Sequence, residues 1–187
     1  MSSPRRTEAG LNSSYGSYYG DNDQDSGGCC GFGDTFLTSP TGFTKLAEIA
    51  IAVVSQFLIL YYGVEYSERL GIGYQILLTC NSASLMASFV FLLCYTVSKE
   101  SFVTVRPSLF EMLLNLLYSA LYITASTLLL ASVFSELYYL YHTVTGFSAY
   151  PALTAVYILG FAAGMVHIVD AILATIFWRK LPRTRTF

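Results

Sequence analysis

The candidates for chemistry in this chain are polar residues that interrupt long apolar stretches. His167 and Asp170 are three positions apart, so on a helix their side chains can touch. Such a pair could pass a proton, or each side chain could hydrogen-bond to polar groups on neighbouring helices. We favour the packing role, because one pair without further titratable groups along the stretch would make a poor proton path. The same role is predicted for the other polar residues buried in apolar stretches, namely Glu48, Asn81, Glu111 and Asn115.

The sequence shows none of the motif patterns that are typical of an enzyme. It has no nucleophile–base pair, no glycine-rich phosphate loop and no paired metal-binding motif, and it contains only two histidines. We therefore expect a protein that is not an enzyme, with no catalytic residues, no metal and no cofactor. A nucleic-acid partner is not expected either, and the expected partners are membrane lipids and other membrane proteins, including further copies of the chain.

The elements that must position these polar residues are four apolar segments. Hydrophobic residues make up 54% of the 187 residues and charged residues only 12%, about half the charged fraction of a soluble domain. Segments of about 20 residues span the hydrocarbon core of a bilayer. The predicted fold is an all-α membrane protein, a four-transmembrane-helix bundle in residues 41–180. Its helices are predicted at about 43–64, 74–97, 109–134 and 152–178, between a disordered tail (1–40) and a basic tail (181–187).

The last segment carries both a close-packing motif and the most costly residue. Gly160 and Gly164 form a G-x-x-x-G pair, which lets another helix approach closely. On a helical wheel they lie on the same side as His167 and Asp170, so this side is predicted to face protein rather than lipid. Asp170 should then be held by helix one or helix three, and the candidate partners are Lys45, Asn115 and Tyr118.

Two further patterns concern helices one and three. Lys45 lies in the first turns of helix one, where its long side chain could reach the headgroups. Helix three carries a polar stripe at spacings of four, three and four, which predicts a face directed into the bundle. This stripe consists of Glu111, Asn115, Tyr118 and Tyr122.

The distribution of positive charge predicts the orientation. Of the ten lysines and arginines, only Arg69 falls on the side away from both termini. By the positive-inside rule, both termini are predicted to be cytoplasmic. The chain is expected in the plasma membrane, in vesicles or in both. Near its C-terminal end, a basic group should contact anionic lipids at roughly 1 kcal/mol per charge: Arg179, Lys180, Arg183 and Arg185.

Cys29 and Cys30 are adjacent and precede the first apolar segment. On the cytoplasmic side such a pair is a candidate for reversible palmitoylation. The alternative is two ordinary reduced thiols in a flexible tail. The residues leave both open.

Three short motifs resemble the MARVEL domain, the family of the myelin and lymphocyte protein, plasmolipin and the chemokine-like factor relatives. They are Lys45-Leu46-Ala47-Glu48 in helix one, Phe110-Glu111 at the start of helix three and Ile168-Val169-Asp170-Ala171 in helix four. The likeness covers about residues 41–180 and is greatest to small insect members of the family. It implies a scaffold at cholesterol-rich membranes, acting in membrane apposition, vesicle trafficking, cell junctions or cell fusion.

The alternative function comes from another class. A small channel or proton-coupled transporter could use the polar residues of helices three and four, namely Glu111, Asn115, His167 and Asp170.

Overall fold

The computed structural model describes residues 36–98, 101–102, 105–106, 108–144 and 146–180, without the side chain of Lys180. Most of the predicted N-terminal tail and all of the predicted basic tail therefore lie outside the described residues. The last part of the predicted tail, 36–40, is ordered instead. Phe36 is fully buried against the rings of Tyr95 and Phe102, at centroid distances of 5.7 and 5.5 Å.

The described chain is helical. Helix α1 spans Pro40–Leu58 and continues through a π-helical turn, Ile59–Gly63, and a 3₁₀ turn, Val64–Tyr66. Helix α2 spans Ser67–Val97 and α3 spans Leu109–Ser132. After a π-helical turn at Val133–Leu137, α4 spans Tyr138–Thr143, and α5 spans Ala149–Lys180.

Serine caps begin two of these helices. The Ser39 hydroxyl accepts a hydrogen bond from the Gly42 amide, and Pro40 occupies the first turn of α1, where its missing N–H costs nothing. The Ser108 hydroxyl accepts a hydrogen bond from the Glu111 amide at the start of α3. The second cap fixes Glu111 in the first turn of α3, which is why its carboxylate lies at one end of the bundle.

Among the described residues, three helical runs are long and apolar enough to cross a membrane: Pro40–Val97, Leu109–Thr143 and Ala149–Arg179. The protein is therefore embedded in a membrane. The first run has 58 residues, which would extend about 87 Å if straight, far more than a bilayer requires.

This first run folds back on itself. Gly71 interrupts it with φ 60° and ψ −139°, a conformation that is not helical. The Asn81 amide donates a hydrogen bond to the Ala52 carbonyl at 2.8 Å, and the Ser88 hydroxyl donates to Glu48 at 2.6 Å. Contacts between residues so far apart in one run require α1 and α2 to lie side by side.

The helix boundaries differ from the predicted ones at several places, and residues 135–143, beyond the predicted end of helix three, are helical as well. Residues 65–73, predicted as a loop, are helical apart from Gly71. Helix α5 begins at Ala149 rather than near residue 152 and includes Pro151 in its first turn, where proline is tolerated. At these places the helices extend further than the hydrophobic pattern indicates.

The interior of the bundle changes character along its length. Near the reversal of the first run, the core is apolar and includes Ile59, Leu70, Leu77, Leu129 and Leu153. Towards the end where α1 and α3 begin and α2 and α5 finish, the buried side chains include charged ones beside aromatic rings. The buried face of α5 contains the four residues that the helical wheel placed together, Gly160, Gly164, His167 and Asp170, and it also includes Ala163, Ala171 and Ala174.

Candidate functional site

Five charged side chains meet inside the bundle and form what we call the ionic cluster: Lys45, Glu48, Arg106, Glu111 and Asp170. Each is 2% exposed or less. They come from α1, α3, α5 and the segment that precedes α3, so the cluster joins elements distant in sequence. A buried charge is stable only when it is paired and hydrogen-bonded, and the distances show how these five are paired.

Asp170 is the centre of the cluster. One carboxylate oxygen lies 2.6 Å from Arg106 Nη2 and accepts a hydrogen bond from the Thr44 hydroxyl at 3.1 Å. The other lies 2.7 Å from Lys45 Nζ and accepts from the Asn115 amide at 2.8 Å. Asp170 is therefore held from helix α1, from helix α3 and from the segment before α3.

Lys45 and Arg106 bridge the carboxylates. Lys45 Nζ lies 3.1 Å from Glu48 and 3.6 Å from Glu111 as well as contacting Asp170. Arg106 Nη1 lies 2.5 Å from Glu111 Oε1. The second carboxylate oxygen of Glu111 accepts a hydrogen bond from the Tyr95 hydroxyl at 2.5 Å. The prediction that Lys45 reaches the headgroups is wrong, because its side chain is only 1% exposed.

Arg106 belongs to the segment between α2 and α3, yet it is fully buried. Burial by itself would lower the pKa of its guanidinium group, but the attraction of Asp170 and Glu111 outweighs burial and raises the pKa. Aromatic rings surround this part of the cluster: the Arg106 guanidinium lies 5.9 Å from the ring centre of Phe177, and Phe102 packs edge-on against Phe177. This cover keeps the guanidinium away from solvent.

Below the ionic cluster lies a layer of polar contacts around His167. Its Nδ1 is 3.0 Å from Asn115 Oδ1 and 3.3 Å from Glu48 Oε1, and its Nε2 is 3.0 Å from the Ser84 hydroxyl. The ring stacks on Tyr122 with a centroid distance of 5.6 Å. His167 thus bonds across the bundle to three other helices, whereas a direct bond to Asp170 is not among its contacts.

A third layer is centred on Asn81. Its amide nitrogen donates to the Ala52 carbonyl and to Gln56 Oε1, both at 2.8 Å, and its oxygen accepts from the Tyr122 hydroxyl at 2.9 Å. The Gln56 amide in turn donates to the Ser82 hydroxyl at 3.1 Å. From Lys45 to Gln56 the polar interior extends about 16 Å along α1, roughly half of a bilayer core.

The glycine contacts show which helices approach closely. A methyl group at Gly160 would clash with the Ser126 hydroxyl of α3, and one at Gly164 would lie 3.1 Å from Ile123 Cγ1. Both glycines therefore face α3. A closer backbone approach involves Gly73, where a methyl group would lie 2.8 Å from the Leu129 amide nitrogen.

The sequence-predicted site residues fall into three groups. Glu48, Glu111 and Asp170 belong to the ionic cluster, and Asn81, Asn115 and His167 to the two layers below it. Arg179 is exposed at the end of α5, but Arg183, Arg185 and the Lys180 side chain lie outside the described residues. So do the lipidation candidates Cys29 and Cys30.

Several residues of the site were missed from the sequence. Arg106 lies between the segments predicted as helices two and three, and nothing in the sequence shows that its side chain is buried. Tyr118 was a candidate partner of Asp170, but its hydroxyl donates to the Ala83 carbonyl at 3.3 Å. Hydroxyl groups of α1 and α2 that take part in the site were also missed: Thr44, Ser84, Ser88 and Tyr95.

The arrangement is suited to holding helices together. Each charged side chain contacts one of opposite charge, and the carboxylates accept further hydrogen bonds from Thr44, Ser88, Tyr95 and Asn115. Within the described part of the chain, His, Cys, Asp and Glu side chains form no group of three or more that could hold a metal ion.

The fold and the cluster define an all-helical membrane protein with an ion-paired interior. Protein singles bar of Drosophila melanogaster is 36% identical to this chain over 146 residues, which cover 78% of the chain and 82% of that protein. The chain therefore belongs to the singles bar family. No family model matches it and no solved structure matches it, so membership of the wider MARVEL family stays a prediction.

Proposed function

We propose that this protein is a non-enzymatic membrane scaffold that organises lipids and partner proteins where membranes are apposed or exchanged. Vesicle trafficking, cell junctions and cell fusion are the processes that the resemblance to MARVEL proteins implies. The observation that carries the proposal is the ionic cluster, whose charged side chains are in contact with one another inside the protein. A bundle held in this way offers its outer surface, rather than its interior, for interactions.

The outer surface supports the same proposal. The exposed side chains along the long helices are large and apolar, including Val53, Phe57, Met86, Leu117 and Ile172. Lipid tails and apolar faces of other membrane proteins are the partners for such a surface, because neither offers hydrogen bonds.

We also propose that the chain crosses the membrane four times with both termini in the cytoplasm. The reversal at Gly71 turns the 58-residue first run into two antiparallel segments, each long enough to span. Four crossings place both termini on one side, and the asymmetry of basic residues favours the cytoplasm. The ionic cluster would then lie in the cytoplasmic half of the membrane.

The MARVEL resemblance gains support from where its motif residues lie. Lys45 and Glu48 from the first motif, Glu111 from the second and Asp170 from the third are four of the five residues of the ionic cluster. Motifs that are scattered in the sequence thus meet at one place, as expected if they specify one packing arrangement.

A channel or proton-coupled transporter is less well supported by the interior. A conducting path needs polar groups or water through the whole membrane. On the other side of the Asn81 layer, the described core consists of side chains such as Leu77, Val156 and Leu153.

Reconstitution of the purified full-length protein in liposomes tests the scaffold against the transporter. A pH-sensitive dye inside the liposomes would report proton flux driven by a pH or voltage gradient. The scaffold predicts the same flux as in protein-free liposomes. A flux above that level that is lost in Asp170→Asn would support the transporter instead.

Proximity labelling in cells that naturally express the protein tests the scaffold role itself. An enzyme fused to one terminus should label a reproducible set of membrane proteins at contact sites or vesicles. The matched control is the same enzyme on an unrelated multi-pass protein of the same membrane. Identical labelled sets for the two proteins would argue against a scaffold.

A further inference from the structure

The ionic cluster is not electrically balanced by its five charged residues. Lys45 and Arg106 supply two positive charges, whereas Glu48, Glu111 and Asp170 supply three negative charges. With all five ionised, the formal net charge is −1. An uncompensated charge is very costly away from water, so the geometry should show where a compensating proton is held.

Glu48 is the carboxylate with an unsatisfied oxygen. Its Oε2 accepts from Ser88 and contacts Lys45, but its Oε1 is buried with no hydrogen-bond partner. This oxygen lies 3.3 Å from His167 Nδ1. By contrast, both oxygens of Asp170 and both oxygens of Glu111 have partners at 3.1 Å or less.

The hydrogen bonds of His167 indicate that Nδ1 carries a proton. The Asn115 amide nitrogen donates to Asp170, so the Asn115 group that faces His167 Nδ1 is its oxygen, which can only accept. The Nε2 atom faces the Ser84 hydroxyl, which can accept a hydrogen bond from a protonated Nε2. Every neighbour of the two ring nitrogens is therefore compatible with a fully protonated ring.

The groups around the ring come from every helix that packs against it. Helix α1 contributes Glu48 and α2 contributes Ser84. Helix α3 contributes Asn115 and the rings of Tyr118 and Tyr122, at centroid distances of 5.4 and 5.6 Å. Asp170, on the same helix as His167, is engaged by Lys45 and Arg106. Glu48 is thus the charged group that is in direct contact with the ring.

We propose that a single proton is bound by the Glu48–His167 pair, with His167 held as an imidazolium ion against Glu48. This proton brings the formal charge of the cluster and His167 together to zero. The pair exists only when α1 and α5 are packed together. The site is distinct from a His167–Asp170 relay, since the partner of the imidazolium is a carboxylate on another helix.

Nitrogen-15 NMR of the histidine ring tests the proposal directly. The full-length protein would carry His142→Gln, a change at an exposed residue, so that His167 gives the only histidine signal. In phosphatidylcholine nanodiscs at neutral pH, both ring nitrogens should carry a proton. One protonated and one unprotonated nitrogen would overturn the proposal, because the compensating proton would then be elsewhere.

Charge rescue provides an independent test. His167→Gln should lower the thermal unfolding midpoint in mild detergent, because it leaves the cluster with its surplus negative charge. Adding Glu48→Gln should recover most of that loss, since it removes one carboxylate and restores neutrality. Adding Glu65→Gln instead, at an exposed acid, should recover nothing. A double variant with Glu48→Gln that is no more stable than His167→Gln alone would contradict the proposal, and if neither variant folds the NMR result decides.

Discussion

Asp170 accepts interactions from Lys45, Arg106, Asn115 and Thr44, and its substitution is the sharpest test at the level of single residues. Asp170→Leu should destabilise the bundle by on the order of 3–5 kcal/mol, because it leaves two buried cations without their shared partner. Asp170→Asn should cost less, since the amide oxygen can still accept one of these bonds. Thermal unfolding in mild detergent and the yield of monodisperse protein measure the difference.

The control for this comparison is Val169→Leu and Val169→Asn, because Val169 is the exposed neighbour of Asp170 on α5. Leucine should be tolerated there better than asparagine, the reverse of the order at Asp170. If Asp170→Leu is as stable as Asp170→Asn, the carboxylate does not hold the cations in the folded protein.

Arg106 carries a prediction that depends on the shape of its side chain. Its two terminal nitrogens contact different carboxylates, Glu111 and Asp170, and a lysine ammonium cannot reproduce this planar fork. Arg106→Lys should therefore lower the unfolding midpoint even though it keeps the charge, and Arg106→Gln should lower it further.

Arg179 is the matched control for this prediction, since it is an exposed arginine of the same bundle. Arg179→Lys and Arg179→Gln should leave the midpoint unchanged. An Arg106→Lys variant as stable as the wild type would show that the fork geometry is unimportant.

The sequence could predict part of this site because of the cost of polar groups in lipid. Asp170, Glu111 and His167 stand out in apolar segments, and that cost requires each to find a partner. The cost does not identify the partner. The sequence points to Lys45 as a partner of Asp170 but not to Arg106, because Arg106 lies in a polar segment whose pattern gives no sign of burial. The path of a loop depends on tertiary contacts such as those of Phe102 and Phe177, which no local pattern encodes.

At the level of the helices, Gly73 lies where the backbones of α2 and α3 approach each other closely. A methyl group there would lie 2.8 and 2.9 Å from backbone atoms of Leu129 and Leu128 in α3, which cannot move independently. Gly73→Ala should therefore push α2 and α3 apart and reduce the folded yield.

Gly160→Ala should be milder than Gly73→Ala, because the obstacle there is the Ser126 hydroxyl, which can rotate to another rotamer. Retention of monodisperse protein on gel filtration ranks the two variants. A larger loss for Gly160→Ala than for Gly73→Ala would mean that the α3–α5 contact, and not the α2–α3 contact, limits the packing.

Gly71 tests the reversal of the first helical run. Its φ of 60° with ψ of −139° is strained for any residue with a side chain, although nothing lies within 4 Å of where a methyl group would be. Gly71→Ala should thus destabilise the fold through the backbone alone, by about 1–3 kcal/mol.

Ile72→Ala is the control for Gly71→Ala, because Ile72 is exposed next to the reversal. It should change the unfolding midpoint little. Equal midpoints for Gly71→Ala and the wild type would show that the chain turns by another conformation.

The helices themselves were largely predictable, because apolar segments of membrane-spanning length have few alternatives to a helix. Their ends were not. Residues 65–73 are short and polar enough to suggest a loop, yet the helical hydrogen bonds continue almost to Gly71. The small residues of the last helix predicted its buried face, since a face with Gly160, Gly164 and Asp170 has no favourable place against lipid.

At the scale of the whole molecule, the family and the membrane location are shown, whereas the topology is proposed. Identity of 36% over most of both chains places the protein with singles bar, and three long apolar runs place it in a membrane. Four crossings and a cytoplasmic ionic cluster are proposals, supported by the fold-back at Gly71 and by the charge asymmetry. The proposed scaffold function depends on this topology, because it sets which surfaces each compartment can reach.

Protease protection of terminal tags tests the four-span bundle and its orientation most directly. Full-length protein with one epitope tag at each terminus would be expressed in cells, and protease would be added before and after selective permeabilisation of the plasma membrane. Both tags should be protected in intact cells and digested after permeabilisation, whereas a Glu68→Cys label in a cysteine-free background should react from outside. One protected and one digested tag in intact cells would contradict the account, because an odd number of crossings separates the termini.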